Sequence, residues 1–211
     1  MSPDSNTRPA QHPPLRRTDL DPDPFAQFAI WYKQAEVKCQ RYPNPIALAT
    51  STTDGRPLVR TVLLKGIDHR GFCFYSNYRS RKAAHLDANP AAAFCLYWEE
   101  LERQIIVAGQ VEKMSTAESA AYFATRPHGS QLGAHASPQS QPLPDRAALE
   151  TRMQKLRKQY ADRKVPCPPH WGGYRLVPDS VEFWQGQADR LHDRFLYRAS
   201  PDGWTLTRLA P

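Results

Sequence analysis

The stretch Ile46 to Gly66, IALATSTTDGRPLVRTVLLKG, decides the fold. Ile46 to Thr50 is a short apolar run, Asp54-Gly55 suits the positive backbone angles of a tight hairpin turn, and Leu58 to Lys65 (LVRTVLLK) is rich in β-branched and aliphatic residues. Two apolar runs around an Asp-Gly turn predict an antiparallel hairpin. The chain then turns over Gly66 to Gly71, Phe72 to Ser76 reads as a third strand, and Ala91 to Trp98 with Gln104 to Val111 forms a second hairpin around Glu99 and Glu100. Tyr174 to Val177, Val181 to Gln185, Arg194 to Arg198 and Trp204 to Leu209 are also strand-like, the last two joined by a turn at Pro201-Asp202-Gly203. Strands that arrive mainly as hairpins predict a mainly β fold, a β-barrel with flanking helices.

Helices fill the gaps. Asp23 can cap, Pro24 suits a first helical turn, and Phe25, Phe28, Tyr32 and Ala35 recur at helical spacing, which predicts a helix to about Lys38. Ser80 to Asp87 reads as a short helix stopped before Pro90. Ser115 and Glu118 make a capping box for a helix to about Thr125, and Leu149, Met153, Leu156 and Tyr160 define another with a basic outer face. Between these two lies Arg126 to Leu143, a predicted long loop, either functional or a surface insertion. The 20 prolines cluster in the first 25 residues, around Pro138 to Pro144 and at Pro166 to Pro169. Residues 1–22 are therefore expected to be a disordered or loosely ordered tail, and residues 23–211 a single domain.

The net charge of +7 and a pI near 9.4 admit nucleic acid, an anionic membrane or phosphorylated small molecules as partners. No arginine-rich run, RNP-like pattern or zinc-finger spacing supports nucleic acid. No apolar run approaches the roughly 18 residues of a membrane helix, and the N-terminus lacks an apolar signal core. The four cysteines, Cys39, Cys73, Cys95 and Cys167, are far apart, form no CxxC pair and sit mostly in apolar strand-like runs, which suggests reduced, buried thiols in a cytoplasmic protein. HExxH, GxSxG and the Rossmann glycine fingerprint are all absent, so no metal is expected and no nucleophile stands out.

Cationic and hydroxyl side chains carry the chemical signal. Arg60 and Lys65 flank the apolar Thr61 to Leu64, and Tyr75, Ser76, Arg81 and Lys82 follow at a strand-to-helix connection suited to a phosphate dianion. The same charges also describe a protected edge strand. Gln104 heads an apolar strand, where its amide either reads the polar edge of a heterocycle or satisfies a neighbouring backbone group. In VEFWQGQADRLHDR, Val181 to Arg194, an extended Arg190 to Arg194 would put Arg190, His192 and Arg194 on one face and Leu191 and Asp193 on the other. Such a face suits a planar anion, although a solvated basic strand has the same pattern. Many phosphate-type ligands without an evident acid-base pair favour a cofactor that brings its own chemistry.

RTVLLKG (Arg60 to Gly66), FYSNYRSRKAAHL (Phe74 to Leu86), LERQ (Leu101 to Gln104), YFATRPHGSQLGAHASPQS (Tyr122 to Ser140), HWGGYRLVP (His170 to Pro178), EFWQG, RLHDRFLY and the terminal RLAP together resemble the FMN-dependent pyridoxamine (pyridoxine) 5'-phosphate oxidases. The likeness runs from about Asp23 to the last residue. It implies an FMN-binding split barrel, a homodimer with FMN at the subunit interface, and oxidation of pyridoxine and pyridoxamine 5'-phosphates to pyridoxal 5'-phosphate with O2 giving H2O2. By position, it implies FMN contacts at Arg60, Thr61, Val62, Leu63, Leu64, Lys65, Tyr75, Ser76, Arg81, Lys82, Gln104, Gln139, Ser140, Trp184 and Arg194. It implies substrate contacts at Lys65, Tyr122, Arg126, Ser130, Arg190, Leu191 and His192, with Arg190 and His192 catalytic. Several family members also carry an Arg-Arg-x-Tyr lid segment near the N-terminus. Leu15-Arg16-Arg17-Thr18 lacks that tyrosine, and no N-terminal residue is carried over. A phenazine-pathway type oxidase, a non-catalytic flavin or pyridoxal phosphate carrier, and an RNA-binding module are the alternatives.

Overall fold

The computed structural model describes residues 12–39 and 41–211. Helix α1 (Pro24–Lys38) leads into strands β1 (Pro45–Ser51), β2 (Pro57–Asp68) and β3 (Gly71–Asn77), then α2 (Arg81–Ala88), β4 (Ala91–Trp98) and β5 (Arg103–Lys113). Three helices follow, α3 (Thr116–Thr125), α4 (His128–Ala136) and α5 (Arg146–Gln159), and then β6 (Trp171–Gln185), β7 (Asp193–Ser200) and β8 (Gly203–Leu209). All strand pairings are antiparallel, in the order β3-β2-β1-β4-β5-β6-β7-β8, and an added β3–β6 pairing closes the first six into a barrel. The predicted barrel with flanking helices is the observed architecture.

The pleat explains the core. On β1, Ile46, Leu48 and Thr50 point inward and are buried, while the residues between them face out. Phe72, Phe74, Phe94, Phe183 and Tyr174 fill the interior, each 1% exposed or less. Asp23 accepts from the Phe25 amide and Pro24 opens α1, as the cap predicts. Through Phe28 and Trp31 the helix packs edge-on against Phe72 and Phe183, with centroids 5.1 Å apart in both pairs. Burying a side chain the size of Phe28 contributes about 2 to 3 kcal/mol.

Three local expectations differ from the structure. The predicted loop Arg126 to Leu143 contains α4, which buries Leu132 and Ala136; with Phe123, Val165 and Trp171, Leu132 builds a second apolar cluster beside the barrel. The two predicted strands from Tyr174 to Gln185 are one strand, β6. Pro178, which cannot donate to a ladder, lies opposite Gly109 at a register shift, and a Cβ on Gly109 would come within 2.0 Å of the Val177 carbonyl oxygen. The bulge thus absorbs the proline and the strand continues. Finally, residues 12–22 do not form a loose tail: Leu15 and Leu20 are buried in the main core, and Tyr197 donates to the Asp21 carbonyl at 2.6 Å. Residues 1–11 of the predicted tail lie outside the described residues.

Candidate functional site

A cleft of about 310 Å³ opens where β2, the end of β3 and α2 meet α3 and the α4–α5 connection. Among its lining residues are Arg60, Lys65, Lys82 and Arg126, the hydroxyls of Tyr75, Ser76 and Tyr122, and Gln139. A somewhat larger depression of about 360 Å³ lies over β1, β4 and β5, but it presents small residues, five of them alanine, with one carboxylate and no cation. Volume therefore does not pick the site; convergent charge does.

Among the described residues, this charge is built by burying cations without carboxylate partners, and two guanidinium nitrogens have no partner at all. Arg60 is held by the Leu48 carbonyl (3.1 Å) and Thr50 Oγ1 (2.7 Å), and its second terminal nitrogen, Nη2, is buried with no partner. Lys82 is 8% exposed and donates to Ser76 Oγ at 2.9 Å, Gln139 Oε1 at 3.0 Å and Ser80 Oγ at 3.2 Å, all neutral acceptors. Arg126 lies over the Trp171 ring at 4.6 Å, and its Nη1 is likewise buried and unpartnered. Tyr122 stacks on Tyr75 with centroids 3.8 Å apart.

Burial first, and Arg60 second, push the Lys82 ammonium down to about 8. Burial also lowers Arg60 and Arg126 and raises the Tyr75 and Tyr122 phenols. A buried, unmatched cation cluster is a site prepared for an anion. Lys82 titrates near 10.5 when unfolded and about 8 when folded, so between these values the unfolded chain holds the extra proton. Stability of the cofactor-free protein from this group is lowest below about pH 8 and rises as pH climbs toward 10, by on the order of 3 kcal/mol. Thermal midpoints of wild type and Lys82→Met between about pH 7 and 9.5 check this: the wild type gains on the variant as pH rises.

Gln104, Trp184, Arg194 and the segment carrying Arg190 and His192 lie elsewhere in the protomer. Gln104 pairs with Trp184 and Trp184 with Arg194, one row across β5, β6 and β7. Arg194 is clamped by both Glu182 oxygens at 2.8 and 3.1 Å, and the His192 ring sits 4.6 Å from Trp184. None of these residues lines the cleft. β2 and β5 stand three strands apart whichever way the closed ring is counted, with the packed core between them.

The extended reading of Arg190 to Arg194 needs correction. Ala188–Arg190 is a 3-10 turn with Asp189 and Arg190 at φ 54° and 59°, and the strand begins only at Asp193. Arg190 is exposed in that turn and Leu191 is 68% exposed, so alternation holds only for His192, Asp193 and Arg194, with Asp193 buried. On the cleft side, Thr61, Val62 and Leu63 line the wall, whereas the Leu64 side chain belongs to the core. Arg81 is exposed at the start of α2, Ser130 is exposed on α4, and Ser140 takes a left-handed φ of 69° beside Gln139. Sequence reasoning missed Thr50, which holds Arg60, and Trp171, which supports Arg126; the aromatic in the HWGGY motif was the available signal for the latter.

A closed six-stranded antiparallel barrel extended by two strands is the architecture of the split-barrel flavoproteins. The family described as pyridoxamine 5'-phosphate oxidase matches residues 33–160, and the pyridoxine 5'-phosphate oxidase C-terminal dimerisation region matches residues 171–211. A pyridoxine/pyridoxamine 5'-phosphate oxidase of Burkholderia cenocepacia is 53% identical over 200 residues, covering 93% of both chains. The crystal structure of PhzG from Burkholderia lata 383, in complex with tetrahydrophenazine-1-carboxylic acid, is similar with a TM-score of 0.88 at 34% identity, covering 93% of this chain and 98% of that one. A pyridoxamine 5'-phosphate oxidase-related FMN binding protein from Nostoc punctiforme shares the fold, with a TM-score of 0.71 at 20% identity over 87% of this chain and 96% of that one. The chain belongs to the pyridoxamine 5'-phosphate oxidase family of oxidoreductases.

Proposed function

We propose that the protein oxidises pyridoxine 5'-phosphate and pyridoxamine 5'-phosphate to pyridoxal 5'-phosphate, with FMN bound between two copies of the chain and O2 as the final acceptor, giving H2O2 and, from the amine, ammonia. The observation that carries this is the unmatched charge of the cleft: Arg60, Lys82 and Arg126 are buried or half-buried with neutral partners only, and two guanidinium nitrogens have none. Cofactor and substrate are both phosphate monoesters, and the cleft offers cations for two. Arg60, Arg81 and Lys82, with Ser76, Gln139 and Ser140, would hold the cofactor phosphate; Lys65, Tyr122, Arg126 and Ser130 would hold that of the substrate. The orphaned nitrogens and the carboxylate-free surroundings of Lys82 fit such a group.

Bound FMN would supply the two-electron acceptor that no side chain here provides. The side chains orient and exclude water. Gln104, Trp184 and Arg194 would line the flavin ring, and the Glu182 clamp presets the Arg194 guanidinium. Arg190 and His192 would hold the substrate over it. The Gln187 amide donates to His192 Nδ1 at 3.1 Å, so the neutral ring carries its proton on Nε2 and offers a donor there.

Because the cleft and the Gln104–Trp184–Arg194 row are on different sides of one barrel, a second copy of the chain would complete each site. The outer face of β2 supports this: Val59, Leu63 and Ile67 are 60%, 43% and 37% exposed and alternate with the cleft residues Thr61 and Lys65, so exposed apolar side chains flank the cleft on a face suited to a homodimer. Arg190→Ala and His192→Ala are each expected to lower kcat by about 100-fold with FMN still bound, since positioning and proton-handling groups contribute at that scale. Normal turnover in both variants would contradict the assignment. A second reading, oxidation of a tricyclic carboxylic acid, draws on the likeness to PhzG, with a carboxylate taking the place of the substrate phosphate. Turnover of a panel containing both substrate types separates the two.

A further inference from the structure

Asp193 is 5% exposed at the first position of β7, and its side chain turns away from His192 and Arg194. Its carboxylate is saturated by three separate parts of the chain. Oδ1 accepts from Arg208 Nη1 at 2.6 Å; Oδ2 accepts from the Leu15 amide at 2.8 Å and from Gln187 Nε2 at 2.9 Å. Arg208 also donates to the Leu15 carbonyl and lies over the Phe195 ring at 4.4 Å. The Pro13 carbonyl accepts from the side chains of Gln185 at 3.0 Å and Gln187 at 3.3 Å.

Gln187 is therefore anchored from behind, and its backbone amide is the donor to His192 Nδ1 at 3.1 Å. The turn that follows holds two non-glycine residues at positive φ, Asp189 and Arg190, a conformation that costs about 1 kcal/mol or more at each and persists only under outside restraint. The Trp184 ring offers His192 only a tilted face at 4.6 Å, which does not select a tautomer. We propose that Asp193 is a positioning residue: with Arg208, Gln187 and the main chain of residues 13–15, it fixes the loop carrying Arg190 and His192 and thereby the imidazole tautomer. This rests on the proposed role of His192. Residues 13–15 are then a brace behind the site rather than a tail.

Two variants of the full-length, FMN-loaded protein test this. Asp193→Asn keeps the shape and removes the charge, and Gln187→Ala removes the tie at a partly exposed position that tolerates truncation. The first readout needs no substrate: ring-nitrogen NMR of the protein with 15N-labelled histidine at about pH 9, above the ordinary imidazole range, with His192 assigned by loss of its signals in His192→Ala. Wild type is expected to show the Nε2–H tautomer, and both variants a mixture. With pyridoxine 5'-phosphate, kcat is expected to fall about tenfold while KM and FMN affinity change less than about threefold, the scale of groups that orient others. If both variants keep the wild-type tautomer and kcat and lose only thermal stability, Asp193 is a structural tie and the proposal is overturned. Should Asp193→Asn not fold, Gln187→Ala decides alone. A wild type that shows the fixed tautomer but does not turn over pyridoxine 5'-phosphate fails the functional reading and leaves the NMR comparison to decide the positioning role.

Discussion

Lys82→Met is expected to lower FMN affinity by about 100- to 1,000-fold and to leave the cofactor-free fold at least as stable as wild type. The two halves of this result have one cause. Lys82 is buried among Ser76, Ser80 and Gln139, and among the described residues no carboxylate offsets the desolvation of its ammonium. Methionine matches its length and apolar stem, so in the free protein the change removes a penalty. In the proposed complex it would remove a charge-assisted hydrogen bond to the FMN phosphate, worth roughly 3 to 4 kcal/mol in a water-poor site where the partner charge is then left unpaired. Fluorescence titration with FMN and thermal denaturation of the cofactor-free protein read the two halves separately. Loss of stability together with unchanged affinity would place Lys82 in the scaffold and not in the site.

Mixing two inactive variants is expected to restore activity. His192→Ala at the β6–β7 end is expected to bring turnover to about 1%, and Lys82→Met in the cleft to do the same when FMN is supplied at the protein concentration, well below the weakened Kd of the variant. If each site takes its cleft from one copy and its His192 from the other, a heterodimer holds one doubly damaged site and one intact site. Random pairing at equal amounts makes half the dimers mixed, so unfolding and refolding the mixture should return about a quarter of wild-type activity. A site contained within one protomer would return nothing. The geometry favours the first outcome, because β2 and β5 lie on opposite sides of the closed ring.

Much of this was legible in the sequence where local rules sufficed. The Asp54-Gly55 turn, the Asp23-Pro24 cap and the Ser115–Glu118 box each appear as predicted, since they depend on residues within a few positions of one another. Helix α4 escaped because Gly129 and Gly133 weaken its propensity, and because its anchor is tertiary: Gln131 donates to the Phe123, Ala124 and Arg126 carbonyls at the end of α3. The join of β6 across Pro178 depends on a bulge involving a glycine about 70 positions earlier. Docking of Leu15 depends on Asp193, 178 positions away, a distance at which spacing carries no signal. The turn at Asp189 and Arg190 defeated the alternation rule because both residues adopt a backbone conformation that their side chains do not advertise. For the site, Arg60, Tyr75, Ser76, Arg81 and Lys82 drew notice as a phosphate-type cluster, whereas Tyr122, Arg126 and Gln139 entered through the family resemblance, and only the fold brings those last three to the same cleft.

The most direct test of the proposed reaction is the visible absorbance of the purified protein, loaded with FMN, before and after anaerobic addition of pyridoxine 5'-phosphate. The flavin band is expected to bleach on addition and to return when air is admitted. A band that persists with pyridoxine 5'-phosphate and bleaches with a reduced phenazine carboxylic acid would contradict the proposed reaction.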